Sequence, residues 1–158
     1  MHMRRTDREI TDRDKIDAII CRCDCCRLAL SDEEAPYIVP LNFGFTYEDG
    51  RAVFYFHGAA EGRKLALLRR HPRVGFELDT GHALHAAGTA CGYAYAFQSV
   101  IGVGTVTTVT DVAQKRAALQ CLMAHYSDRA DWTFDDNMVS AVTVLRLEVE
   151  TMSCKEHE

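Results

Sequence analysis

A small antiparallel β-barrel with peripheral helices is the fold class that this sequence predicts. Three observations predict it. Short runs rich in Val, Ile, Phe and Tyr recur with the two-residue alternation of half-buried strands. Turn signals such as Glu48-Asp49-Gly50-Arg51 separate them, because Asp-Gly suits a tight hairpin. No strand–helix–strand rhythm repeats, which argues against a doubly wound parallel sheet. With 158 residues and no linker-like stretch, residues 1–158 are expected to form a single domain.

The elements follow in order. A first helix is expected over 12–23, with Thr11 as N-cap and Ile16, Ile19, Ile20 and Cys23 on one apolar face. Residues 26–30 alternate as a strand and end at the charged turn 31–34. Residues 36–43 read as a second strand. Pro40 removes a ladder hydrogen bond there, which marks an edge, a bulge or the close approach of a ligand. Residues 52–57 form a third strand and 61–68 a short helix that stops before Pro72. Residues 73–78 alternate as a strand, whereas 80–96, rich in Gly, Ala and His, show no period and read as a loop. Residues 97–109 make a long strand in which Gly102 and Gly104 mark a bend or bulge. Asp111 caps a further helix, with Gln114 completing a capping-box pattern. Its stripe runs through Val112, Arg116, Leu119, Met123 and Tyr126, and residues 141–149 close the chain as a strand.

Composition narrows the function classes. The net charge of −5 argues against a general nucleic-acid binder, which needs a basic face. No apolar run approaches the ~20 residues of a membrane span. Residues 1–14 are dense in Arg and Asp, so no secretory signal is read there and a cytoplasmic location is expected. The seven cysteines are then expected as thiols. Cys21, Cys23, Cys25 and Cys26 contain one C-x-x-C, short of the paired motifs of a structural zinc site. His82, His85 and Cys91 fall in a glycine-rich stretch, so no metal is expected there either. Gly102-x-Gly104 lacks the third glycine and the helix of a dinucleotide fingerprint.

The strongest chemical signal is Phe56-His57-Gly58-Ala59-Ala60-Glu61-Gly62-Arg63-Lys64. A strand ends, small residues follow, and a helix opens with two cations. Free N–H groups and the helix dipole favour an anion at that end. Arg63 and Lys64 oppose the dipole, and a bound phosphate would account for them, Arg by a bidentate grip and Lys as a point charge. A solvated basic turn is the competing reading of the same residues.

Several segments resemble one known family. These are Pro36-Tyr37-Ile38-Val39-Pro40-Leu41-Asn42-Phe43-Gly44, Tyr55 to Ala59 with Glu61 to Lys64, His71-Pro72-Arg73-Val74, and Ser99-Val100-Ile101-Gly102-Val103-Gly104. They resemble the FMN-binding split barrels of the pyridoxamine 5′-phosphate oxidase superfamily, and within it the small nitroimidazole-resistance or 5-nitroimidazole reductase-related proteins. The resemblance covers residues 4–155. It implies an antiparallel split barrel that works as a homodimer with flavin mononucleotide (FMN) sites at the subunit interface. Pro40, Leu41 and Asn42 would run along the flavin ring. His57, Gly58 and Ala59 would lie beside the ring or the ribityl chain. Arg63 and Lys64 would hold the phosphate, and Gln98, Ser99 and Val100 would form a third contact strand.

His57 is the catalytic candidate, since a neutral imidazole near a flavin can deliver a proton around neutral pH. A packing histidine at a strand end is the alternative. NAD(P)H or another reductant is the expected electron donor, and a small molecule such as a nitro-aromatic the expected acceptor. The sequence departs from full pyridoxamine phosphate oxidases: residues 152–158 end it without an Arg- and Trp-rich segment, and its only tryptophan is Trp132. That oxidase activity is therefore not expected. A flavin or haem binding or storage module without turnover is the alternative function, and a structural dimer that has lost its cofactor is a third.

Overall fold

The computed structural model describes residues 5–129 and 131–158, so the first four residues of the Arg- and Asp-rich stretch 1–14 lie outside it. The elements are β1 (Glu9–Ile10), α1 (Arg13–Arg22), β2 (Cys26–Leu30), β3 (Tyr37–Leu41), β4 (Gly44–Glu48), β5 (Arg51–Gly58), α2 (Arg63–Arg70), β6 (Arg73–His85), β7 (Ala94–Val109), α3 (Val112–Tyr126), α4 (Asp136–Ala141) and β8 (Thr143–His157). All strands join one antiparallel sheet, ordered β3-β2-β6-β7-β8-β5-β4, with β1 added to β8.

This order forces the sheet to curl. β3 and β4 are its two edges, yet only Asn42 and Phe43 separate them in the chain. The edges must therefore approach at that corner, while no ladder joins them, and the barrel stays split. The natural twist of strands supplies part of the curvature. A bulge supplies more: Val103 pairs with Thr151 but Gly104 with Val149, so Glu150 is the extra residue of β8.

Alternation fills the interior. Cys26, Leu28 and Leu30 of β2, Val74, Phe76 and Leu78 of β6, and Phe54 and Phe56 of β5 are buried in one core. Ile19 and Ile20 of α1 and Leu65, Leu67 and Leu68 of α2 join that core. Asp12 caps α1 by accepting from the Lys15 N–H at 2.9 Å. α3 packs outside, on β4 and β5. Its last turn pins the corner between the edges: Tyr126 accepts from the Phe43 N–H at 3.1 Å and donates to the Asp24 carbonyl at 2.8 Å.

Several expectations are corrected. Asp12, not Thr11, caps α1, and α2 opens at Arg63 rather than at 61. Residues 36–43 are not one strand: β3 ends at Leu41 and an unexpected β4 begins at Gly44. Residues 80–96 are mostly a hairpin, because β6 runs on to His85 and β7 starts at Ala94. β8 continues to His157, far beyond 149, and α4 was not foreseen. α3 buries Ala118 and Leu122, while Val112 and Tyr126 of the expected stripe are exposed. Asp111 does cap it, accepting from the Gln114 N–H at 2.8 Å. Pro40 lies on an edge strand, where a missing N–H costs nothing.

Candidate functional site

The site is built where β5 gives way to α2. β4 pairs with β5 only as far as Gly44↔Tyr55, whereas β8 continues along Phe56, His57 and Gly58. The last residues of β5 thus keep a backbone edge outside the β4 ladder. Asn42 and Phe43 leave β4 next to that edge. Pro40, Leu41 and Asn42 on one lip and His57 and Gly58 on the other therefore flank the split. Pro40 and Asn42 are exposed, and Leu41 packs partly into the core.

Gly62 is the N-cap of α2, and its φ of 137° is open to glycine and strained for other residues. No side chain caps its first N–H groups. Lys64 lies over the end of β5: a Cβ added at Gly58 would stand 3.1 Å from Lys64 Nζ. Glycine at 58 is thus the space in which the ammonium sits. Burial pushes the Lys64 ammonium below its ordinary value. Lys64 has no hydrogen-bond or ion-pair partner among the described residues. A half-buried cation beside uncapped N–H groups is suited to an anion.

Arg63 faces the other way, onto the β2–β3 turn. Its Nη2 and Nε donate to Asp32 Oδ2 at 2.7 and 3.2 Å, and its guanidinium carbon lies 4.6 Å from the Tyr37 ring centroid. The Arg63 hydrogen bond, with help from the Glu33 N–H, holds the Asp32 carboxyl below its ordinary value. Asp32 and Tyr37 were not singled out from the sequence. The signal available was a charged turn placed directly before an aromatic strand.

His57 does not point to Lys64. Alternation puts its imidazole on the face of β5 opposite Phe56. There it borders a largely apolar cavity of about 310 Å³ with Leu119, Met123, Phe134, Met138 and Val142. Ala59 is exposed in the β5–α2 link.

The third contact segment is placed elsewhere. β7 is flanked on both sides by β6 and β8, so the backbones of Gln98, Ser99 and Val100 are spent in the ladders. Val100 is fully buried in the core, which rules its side chain out as a ligand contact. Gln98 accepts from Arg22 Nη2 at 2.7 Å and donates to Glu156. In the hairpin, His82 pairs with Asp79 at 2.8 Å and stacks on Tyr95.

The cysteines divide by burial. Burial pushes the Cys23 thiol up to about 12 and Cys154 up to about 11, and raises Cys26 further. Cys21 and Cys91 are exposed. A thiol reagent at mildly alkaline pH is expected to label Cys21 and Cys91 in the native protein. Cys23, Cys26 and Cys154 should react only after unfolding, which peptide mapping by mass spectrometry would read. Rapid native labelling of Cys26 would contradict the packing.

Fold and corner together define an antiparallel split barrel with a cation-bearing helix mouth beside its slit. The chain belongs to the pyridoxamine 5′-phosphate oxidase family, whose model matches residues 12–156. A candidate 5-nitroimidazole antibiotic resistance protein from Bacteroides thetaiotaomicron has a similar structure, with 33% identity and a TM-score of 0.80 over 94% of this chain and 86% of that one. The flavocytochrome Anf3 from Azotobacter vinelandii matches at 20% identity and TM-score 0.80, covering 99% of this chain and 72% of that one. A FAD and haem binding protein from Mycobacterium smegmatis matches at 18% identity and TM-score 0.80, covering 96% and 74%. These last two likenesses show the fold. No curated protein matches the chain.

Proposed function

We propose that the protein binds FMN at the mouth of α2 and reduces a small acceptor such as a nitro-aromatic, with NAD(P)H as electron donor. The observation that carries this reading is Lys64: a half-buried ammonium without a protein partner, resting on Gly58 beside the uncapped start of α2. Family membership supports it, and the likeness to a flavocytochrome and to a FAD and haem binding protein is consistent with it.

The residues present fit the group. Lys64 and the first N–H groups of α2 would hold the phosphate, with Arg63 as second cation. The lips of the split, Pro40 to Asn42 and His57 to Gly58, would border the ring system. Bound flavin would supply the hydride and electron-transfer chemistry. The chain's own part is to neutralise the phosphate, to border the ring with small residues, and to hold a proton at His57 on the cavity side of β5.

A homodimer completes this reading. The outer face of β3, β2, β6 and β7 carries a row Ile38–Ala29–Gly75–Val103 and a neighbouring row Pro40–Arg27–Glu77–Ile101. Ile38 is 61% and Ile101 43% exposed, so a partly apolar face stays open to solvent. A second copy of the chain is the occupant we assign to it.

The double variant Arg63→Ala/Lys64→Ala tests the reading. Each charge-assisted contact is worth roughly 1.5–3 kcal/mol. FMN affinity should then fall about 100-fold or more, while riboflavin affinity stays nearly constant. Equal losses for both ligands would remove the phosphate assignment. The absorption spectrum separates the alternative function: a Soret band, or a bound flavin that NADH and NADPH leave oxidised, would favour a binding module.

A further inference from the structure

We propose that Asp32 is an internal stand-in for the cofactor's phosphate, a carboxylate that occupies Arg63 until a phosphate ester displaces it, and so sets how tightly the site holds FMN. This rests on the phosphate assignment above and concerns a residue that assignment does not include.

The geometry points to competition rather than simple support. A single oxygen, Asp32 Oδ2, receives both Arg63 donors, at 2.7 and 3.2 Å. That uses the Nε/Nη2 edge of Arg63 and leaves only its Nη1/Nη2 end open, so a phosphate that takes the occupied edge must displace the carboxylate. The other oxygen, Oδ1, accepts the Glu33 N–H at 2.9 Å. The carboxylate is therefore held in place by its own turn and closes onto Arg63 at little entropic cost. Asp32 is only 16% exposed in its side chain, whereas Arg63 is 64% exposed. The anion is fixed and the cation is the movable partner. Tyr37 stacks under the guanidinium and steers it towards the turn.

Charge counting gives the consequence. With Asp32 on Arg63, Lys64 is left as the one uncompensated cation of the pair Arg63 and Lys64. A phosphate that takes the edge held by Asp32 must break an existing ion pair. Affinity for the phosphate ester is thus held below what two free cations would give, which favours exchange of the cofactor over permanent retention.

The test is a double-mutant cycle on the full chain, with Asp32→Asn, Arg63→Ala and the combination. Flavin fluorescence quenching would read FMN and riboflavin affinities, and thermal shift would read inorganic phosphate. Asn keeps the size and the acceptor for the Glu33 N–H. Asp32→Asn should tighten FMN by about ten-fold, leave riboflavin unchanged, and increase the stabilisation given by inorganic phosphate. In the Arg63→Ala background the same change should do nearly nothing, because no guanidinium remains to contest. FMN binding that is unchanged or weakened by Asp32→Asn, while Arg63→Ala alone weakens it, would show that Asp32 merely orients Arg63 and would overturn the proposal alone. FMN and riboflavin bound equally by the wild type, with no effect of Arg63→Ala, would overturn the phosphate assignment and this proposal with it.

Discussion

Gly104→Ala is expected to destabilise the protein by at least about 3 kcal/mol, enough to lower its urea midpoint sharply or to leave it insoluble. A Cβ at this position would clash with the Glu148 carbonyl oxygen and stand 2.8 Å from Leu147 Cδ1. The first of these atoms is backbone, so no rotamer change relieves the contact. The position is also the bulge where β7 and β8 shift register, and the two backbones approach closely there because the sheet bends. Gly88→Ala, in the β6–β7 link, is the control. Its new methyl would meet nothing within 4 Å. It should change stability by less than about 1 kcal/mol. Wild-type midpoints for both variants would mean that the bend does not depend on this close approach.

Phe54→Ala should cost about 3–5 kcal/mol and lower the melting temperature by roughly 10 °C. Phe54 is fully buried, with ring centroids 4.9 Å from Phe45, 5.2 Å from Phe76 and 5.6 Å from Phe43. It joins β4, β5, β6 and the Asn42-Phe43 corner in one aromatic cluster. Truncation leaves a void that three rigid rings cannot collapse into. Because Phe43 belongs to the crossing between the barrel edges, the loss should also loosen the lip of the split. Thermal unfolding by circular dichroism gives the first effect. Hydrogen exchange at residues 41–45, faster in the variant than at β7, gives the second.

Much of the fold was legible because its signals are local. Asp111 before an apolar helix caps it, as its side chain and the Gln114 N–H show. The alternation of 26–30 and 73–78 gave two core strands, and Pro40 announced an edge. Gly102 and Gly104 announced a bend, which the bulge at Val103/Gly104 provides. Where signals are non-local the reading failed. Residues 80–85 and 94–96 are Gly, Ala and His rich and carry little strand propensity, yet they pair in a hairpin that continues β6 and β7. Residues 150–157 of β8 alternate poorly and are strands only because β7 and β1 lie on either side. The split at Asn42-Phe43 has no turn signal, because it is a transfer between sheet edges rather than a hairpin.

The candidate site shows the same division. Lys64 over Gly58 follows from a strand end, small residues and a helix start, all within one short segment. The pairing of Arg63 with Asp32 brings together residues from two segments and depends on how α2 lies against the β2–β3 turn. His57 was legible as a strand-end histidine on the face opposite Phe56, but the cavity that this face borders was set by the position of α3 and α4.

By itself, then, the sequence determined most of the core strands and helices, though not β4 or α4, together with the bend glycines and the cation pair at the mouth of α2. Tertiary structure alone decided which edges meet, which carboxylate reaches Arg63 and what packs opposite the imidazole of His57. The physical reason is range. Propensity, capping and alternation act within a few residues of chain, whereas ladder partners, ion pairs and buried faces are chosen by segments that only folding brings together.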